Sequence, residues 1–294
     1  MKIYIESPAL AGNSENLLQP GVIYALGTLT EHGHQIMWDN GLTQPQLILL
    51  ANEKLETFQD QSERDATITR NDNSFVFKTI DQVLEEADDW NQLVRLILFP
   101  TRKAEIKRKT KETDIEVSVN LDGSGQSDIQ TGLNFFDHML DQIARHGLID
   151  LKIRCNGDLE VDEHHTIEDI SIALGQAIHQ AISENKAGIQ RYGFVLPMDE
   201  ARATVAIDLS DRPYLQWDVE LKREYVGDFP TEMLEHFYYT LAMNAKATLH
   251  VSAIGKNDHH IIEATFKGFA KALRFAISRS ERTKGILPST KGTI

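Results

Sequence analysis

The chain has 294 residues, 41% hydrophobic and 25% charged, with mean hydropathy -0.32; this excludes disordered and collagen-like classes and supplies material for about two domains. No apolar run approaches the roughly 18 residues that span a bilayer, the start MKIYIESPAL lacks a signal-peptide layout, and the single cysteine, Cys155, excludes a disulfide framework or a Cys-rich metal site. A net charge of -14 argues against general nucleic-acid binding, so the expectation is a cytoplasmic protein with neither nucleic-acid nor membrane partners.

In chain order, residues 1–103 read as a small α/β segment. MKIYI is a strand, Leu17 to Glu31 a helix with Pro20 near its start and Gly33 at its end, His34 to Trp38 a second strand, and Thr79 to Leu98 an acid-rich helix. Beyond it, Ile115, Val117, Val119 and Leu121 alternate, and Asp122-Gly123-Ser124-Gly125 supplies a turn, which predicts a hairpin. A helix is expected over 134–146, with Asn134 as N-cap and Gly147 as stop, then a strand through Ile149, Leu151, Ile153 and Cys155. His164 to about Ser183 predicts a long helix burying Ile167, Ile170, Leu174, Ala177, Ile178 and Ala181. The scheme then recurs, with strands over 201–209, 214–221 and 247–254 and helices over 231–246 and from His259 to about Ser280.

The histidines expose this recurrence as a duplication. His138 and His236 are 98 residues apart and each precedes a leucine, Leu151 or Leu249, by 13. His164, His165 and Glu168 map onto His259, His260 and Glu263 at a constant offset of 95. Each copy should be a small sheet covered on one face by two helices, and the two copies should pack helices against helices. Adjacent histidines on a helix point about 100° apart, so each pair serves two ions, and six histidines with two glutamates divide into two sites of three His and one Glu. Imidazole and carboxylate without thiolate suit Mn, Fe, Zn, Co or Ni, and four protein ligands on an octahedral ion leave two positions open for chemistry. A lone His pair is usually a solvated surface feature; here it recurs with its glutamate and an upstream histidine. His179 and His250 have no such counterparts and read as ordinary helix and strand positions, and His146, two turns after His138, is a candidate substrate contact.

The segments FFDHMLDQIARHG, DEHHTIED, GFVLPMDEA, DRPYL, TEMLEHF, GKNDHHIIEATFK and LPSTKG, spread over Arg108 to Ile294, resemble the imidazoleglycerol-phosphate dehydratase family. The resemblance implies an α+β fold of tandem ribosomal protein S5 domain 2-like units, about 104–190 and 191–294. It implies a hydro-lyase of histidine biosynthesis that converts D-erythro-imidazoleglycerol phosphate, a small phosphorylated substrate, to imidazole acetol phosphate. It also implies two Mn²⁺ per active site, and a homo-oligomeric cage of 24 subunits built from trimers with active sites between subunits. Carried over, the Mn²⁺ ligands are His138, His164, His165, Glu168, His236, His259, His260 and Glu263, the set isolated by the repeat. Glu112 matches a substrate-contacting glutamate and becomes the candidate acid/base; Arg191, Arg212, Lys267, Ser289 and Lys291 match phosphate-binding groups. The proton to be lost sits on a side-chain carbon near the imidazole ring and is not acidic. The suggested route is a metal-bound imidazolate that expels the neighbouring hydroxyl through a diazafulvene-like intermediate, after which a base removes the carbon proton and the enol tautomerises.

QPGVIYALGTLTEHGHQIMW is similar to part of the haloacid dehalogenase-type histidinol-phosphate phosphatase domain that some bacteria fuse ahead of this dehydratase. That phosphatase needs an Asp-x-Asp pair after its first strand, where this chain has Glu6-Ser7-Pro8; Asp39-Asn40-Gly41 replaces a Thr-Asn pair, and the later acidic metal motif is missing. Residues 1–103 are therefore expected to be a degenerate segment without phosphatase activity. Two other readings stand against the lyase. A non-catalytic metal-binding cage protein would have no use for the phosphate-binding groups, and a metal-dependent phosphatase or nuclease would call for more carboxylate and less imidazole.

Overall fold

The computed structural model describes residues 1–55, 64–79, 82–183, 186–280, 282–283, 286–287 and 289–290. The chain divides into two compact units, Met1–Pro100 and Thr101–Ile294.

The first unit runs β1 (Lys2–Ile5), α1 (Ser7–Leu10), α2 (Val22–Glu31), β2 (Gln35–Trp38), α3 (Gln44–Asn52), β3 (Ala66–Arg70), β4 (Phe75–Lys78), β5 (Val83–Ala87) and α4 (Trp90–Leu98). Its sheet order is β2-β1-β3-β4-β5, with β1 parallel to β2 and β3 and the remaining pairs antiparallel. Ile3, Ile5, Leu26 and Trp90 are fully buried, and the Trp90 indole N–H donates to the Ala9 carbonyl. Two sequence expectations need correction. The helix expected from Leu17 begins only at Val22, after Gly21 at φ 84°. The acid-rich helix expected over 79–98 is instead strand β5 followed by α4. Glu85 and Glu86 pair with Phe77 and Val76 of β4, and the Asp89 carboxylate accepts the Gln92 N–H, so the helix starts at Trp90.

The second unit is the duplication. Its first copy runs β6 (Lys103–Lys109), β7 (Thr113–Asn120), β8 (Ser127–Gln130), α5 (Asn134–Gly147), β9 (Asp150–Gly157) and α6 (His164–Ser183). Its second runs β10 (Tyr192–Met198), β11 (Ala201–Asp208), β12 (Tyr214–Val219), the short pair β13 (Tyr225–Val226) and β14 (Phe229–Pro230), α7 (Met233–Asn244), β15 (Thr248–Ile254) and α8 (Asp258–Ala276). The sheets have matching orders, β6-β7-β9-β8 and β10-β11-β15-β12, each with one parallel edge pair. Registers match too: Val117 faces Ile153 in the first copy as Val205 faces Val251 in the second. Alternate residues of both sheets and the buried faces of all four helices form one continuous core, in which α5 packs on α8 and α6 on α7.

The hairpin expected at Asp122–Gly125 does not form between β7 and β8. β7 pairs with β6 and β9, and β8 lies parallel on the far side of β9. The turn folds over the start of β9, because one oxygen of Asp150 accepts the N–H groups of Ser124, Gly125 and Gln126. Nor is Asn134 the N-cap of α5. The N–H groups of Asn134 and Phe135 are taken by Asp228 of the β13–β14 turn, so the second copy caps a helix of the first. Gly147 remains helical, and Leu148 takes the left-handed position at φ 51°.

Burial pushes the Asp150 carboxyl up, but hydrogen bonds from Ser124, Gln126, Asn120 and Gly125 outweigh it and hold its pKa below the ordinary value. A depressed carboxylate adds stability above its unfolded pKa of about 3.9, lost as pH falls through the native value. Asp150→Asn should therefore cost about 1 kcal/mol at pH 7, with its melting temperature converging on that of the parent as pH drops below 4. A glycine with no room for a Cβ ends β9 in the first copy, Gly157, and another follows β15 directly in the second, Gly255. A Cβ on Gly157 would lie 2.0 Å from Thr166 Oγ1, and one on Gly255 would lie 2.8 Å from Ile261 and 2.9 Å from Ala201. Gly157→Ala and Gly255→Ala should each lower unfolding free energy by about 1–3 kcal/mol in denaturant titrations.

Candidate functional site

The six repeat histidines and two glutamates lie at the starts of the long helices α6 and α8 and on the shorter α5 and α7. In one cluster, Glu168 Oε2 is 3.7 Å from His164 Nε2 and its Oε1 is 3.3 Å from His236 Nε2, with the two imidazole rings 4.8 Å apart. In the other, Glu263 Oε2 is 3.1 Å from His259 Nε2 and its Oε1 is 3.8 Å from His138 Nε2. The candidate ligand atoms of each trio all lie within 4.8 Å of one another. Each cluster crosses the duplication: α6 of the first copy supplies two candidate ligands and α7 of the second one, while α8 supplies two and α5 one.

The expected inventory was three His and one Glu per site; each trio here holds two and one. The missing histidines are the second of each adjacent pair, turned away as helix geometry demands. His165 Nδ1 lies 3.2 Å from both Asp158 oxygens, with Nε2 3.8 Å from Glu112. His260 Nδ1 lies 2.8 Å from Glu200, with Nε2 3.8 Å from Asp199. The Asp158 hydrogen bond raises the pKa of His165 and the Glu200 hydrogen bond that of His260. A carboxylate on one ring nitrogen fixes the orientation of the other, as in metal-ligating histidines. Sequence reasoning missed Asp158, Asp199 and Glu200. Asp158 is seven residues before His165 but Glu200 is sixty before His260, so the two carboxylates share no spacing; only sheet register brings them to equivalent rings.

The residues fit a first-row divalent ion. Each trio is imidazole and carboxylate without thiolate, and His236 Nε2 is buried with no hydrogen-bond partner among the described residues. Glu263 is itself buried; burial pushes its pKa up, but the ammonium of Lys267, 2.8 Å away, and then His138 and His259 hold it down. Lys267, expected from the resemblance to bind phosphate, thus stands beside the second trio. His146, in the last turn of α5, is half-buried, and its pKa is lowered by that burial and by Lys267 and Lys271.

Arg191 and Arg212 converge on Asp208 at the edge of the second sheet. Arg191 Nε is 2.6 Å and Arg212 Nη2 3.6 Å from the same oxygen, and both side chains are mostly exposed. Arg191 borders an open groove of about 370 Å³ that also exposes His250, a surface position of β15. His179, on α6, faces Asp211 at 3.6 Å. Ser289 lies in the segment after α8, and Lys291 lies outside the described residues. Glu112 sits in the β6–β7 turn, half exposed.

The imidazoleglycerol-phosphate dehydratase family matches residues 131–273. The imidazoleglycerol-phosphate dehydratase of Acetivibrio thermocellus is 55% identical over 195 residues, 66% of this chain and 99% of that protein. The histidine biosynthesis bifunctional protein HisB of Spirosoma linguale is 51% identical over 212 residues, 72% of this chain but 55% of its own length; the chain thus spans about half of the bifunctional relatives that it matches. Among solved structures, imidazoleglycerol-phosphate dehydratase from Staphylococcus aureus superposes with TM-score 0.56 at 36% identity, covering 60% of this chain and 99% of that one. The Pyrococcus furiosus enzyme, solved in complex with (S)-C348, gives TM-score 0.53 at 36% identity, covering 64% of this chain and all of that one. With the crossed His/Glu trios carried on a duplicated α+β unit, the chain belongs to the imidazoleglycerol-phosphate dehydratase family.

Proposed function

We propose that the chain is a Mn²⁺-dependent dehydratase that converts D-erythro-imidazoleglycerol phosphate to imidazole acetol phosphate in cytoplasmic histidine biosynthesis. The observation that carries this reading is the pair of crossed trios, with Glu112 held beside the outward-turned His165. His164, Glu168 and His236 would hold one ion and His138, His259 and Glu263 the other. When bound, the ions supply Lewis acidity and a template for the ring and hydroxyl of the substrate.

His165 and His260 offer their Nε2 atoms outward, and in this reading each completes a ligand set in a neighbouring subunit. A homo-oligomer, the cage of 24 built from trimers, is then a requirement of the site. Arg191 and Arg212, steered by Asp208, would bind the phosphate together with Lys267, Ser289 and Lys291, and His146 would border the bound substrate. Glu112 takes the proton from the side-chain carbon and passes a proton to the hydroxyl beside the ring, which departs as water, and the enol left behind tautomerises to the ketone. A half-exposed carboxylate suits this shuttle, since it can exchange its proton with solvent between turnovers.

Residues 1–103 are proposed to have no phosphatase activity. Asp39 accepts the N–H groups of Ser7 and Gly41, so its carboxylate is committed to the local backbone. Truncating residues 1–100 should leave any trace hydrolysis of histidinol phosphate unchanged; a real activity abolished by the truncation would contradict this.

The test is Mn²⁺-dependent conversion of imidazoleglycerol phosphate, followed by absorbance of the enolised ketone. Full metal occupancy without turnover would instead favour a non-catalytic metal-binding cage protein. Glu112→Gln should keep its metal and lose about 10²–10⁴-fold in kcat; near-normal turnover would remove Glu112 from the role.

A further inference from the structure

The two copies differ where their hairpins meet the long helices. In the first, Asp169 of α6, immediately after Glu168, is buried at 6% exposure. One of its oxygens accepts from Arg108 Nε at 2.9 Å and lies 2.8 Å from Arg108 Nη2, and the other accepts from Thr113 Oγ1 at 2.5 Å. Arg108 is the penultimate residue of β6 and Thr113 opens β7, so the triad grips both arms of the turn that carries Glu112.

Sheet register and the repeat offset identify the counterparts in the second copy. Arg108 pairs with Ile115 as Leu196 pairs with Ala203; Thr113 faces Gly157 at the strand end where Ala201 meets Gly255; Asp169 maps onto Ala264. Arg, Thr and Asp thus become Leu196, Ala201 and Ala264, all buried in one apolar cluster. The same hairpin packs on the same helix without a charge. Asp169 is buried while Arg108 is 34% exposed, and replacing an ion pair of this kind by well-packed apolar groups is often neutral for stability; the second copy shows the hairpin packed without the triad.

What separates the two hairpins is the use of their glutamates. Glu200 stands at the counterpart of Glu112 and is anchored: it accepts the N–H groups of Lys256 and Asn257 and lies 2.8 Å from His260 Nδ1. It ties down its own turn and is consumed in doing so. The Glu112 carboxylate accepts no hydrogen bond among the described residues and lies only within 3.8 Å of His165 Nε2; its backbone is held, its N–H donating to Thr110 Oγ1 and its carbonyl accepting from Asp158 N–H. A carboxylate left free for substrate cannot anchor the loop it stands on.

We propose that Arg108, Thr113 and Asp169 are positioning residues, a clamp that takes over the anchoring done by Glu200 in the other copy so that Glu112 stays both free and fixed. This rests on Glu112 as the proton shuttle. A displacement of about 1 Å at such a group costs about 10²-fold in rate.

The experiment rewrites the first copy in the residues of the second, as the full-length triple variant Arg108→Leu, Thr113→Ala, Asp169→Ala. It should fold with an unchanged melting profile and metal content, lose about 10²-fold in kcat and keep KM within about threefold. Combined with Glu112→Gln, the triple should add less than about threefold to the loss already present. Turnover within about twofold of the parent, or losses that multiply in the Glu112→Gln background, would overturn the proposal. Failure of the triple to fold would also overturn it, since the fold would then need the triad. Single substitutions give a second route: Thr113→Val should lose about tenfold and Thr113→Ser recover most of it, while equal activity of Thr113→Val and the parent would contradict the clamp. Near-normal turnover of Glu112→Gln alone would mark failure of the shuttle reading, separately from the clamp.

Discussion

Two neighbouring residues on an α-helix cannot face the same way. At His164-His165 and again at His259-His260 that constraint divides each pair between two destinations, and the rest of the site follows from the division. The first histidine of each pair turns toward the opposite copy and meets a glutamate one turn along its own helix. The second turns toward the strand ends of its own copy, where Asp158 after β9 or Glu200 in the β10–β11 turn orients its ring. Because α6 packs on α7 and α5 on α8, neither trio can be assembled from one copy alone. The duplication is therefore one functional unit, although each half has its own sheet.

Within that frame the copies have diverged in one direction. The backbone keeps its strand registers, its glycines at Gly157 and Gly255 and its two-plus-one trios. What changed is the polarity of the hairpin contact and the freedom of the glutamate above it. Hydrogen bonds hold Glu200 down at a pKa of about 2, fixed as a charged structural anchor. Glu112 is spared that work by the Arg–Asp–Thr set, built on the buried Asp169, that the other copy dispenses with. An internal repeat thus serves as a comparison inside one molecule: the same fold with and without the same feature.

Much of this could be read in the sequence, for reasons specific to each element. Helix α6 was legible at both ends because its apolar spacing is sustained from His164 to Ser183. The recurrence of the six histidines and two glutamates was legible because residue type and offset survive duplication. Edge strands β6 and β10 were not: KAEIKRK has only Ala104 and Ile106 as apolar signals, and YGFVLPM carries a proline that an edge tolerates. The Asp122–Gly125 turn was seen, but a turn signal says that the chain reverses, not which strand it returns to; Asp150, 25 residues from Gly125, decides that. The stretch 79–98 misled because its acids suggest a helical face, whereas their partners are the strand Phe75–Lys78 and a cap at Asp89. The division of ligands between trios was hidden as well, because it depends on which helices pack together.

In this arrangement each ion would be held by ligands from both copies. Titrating the metal-free, full-length protein with Mn²⁺, with free ion counted by electron paramagnetic resonance, tests it most directly. The parent should bind two ions per chain. His236→Ala, which alters a single residue of the second copy, should lose one ion and keep the other, and His138→Ala should do the reciprocal. Two ions retained by both variants would contradict the account, because each trio would then be dispensable in its cross-copy member.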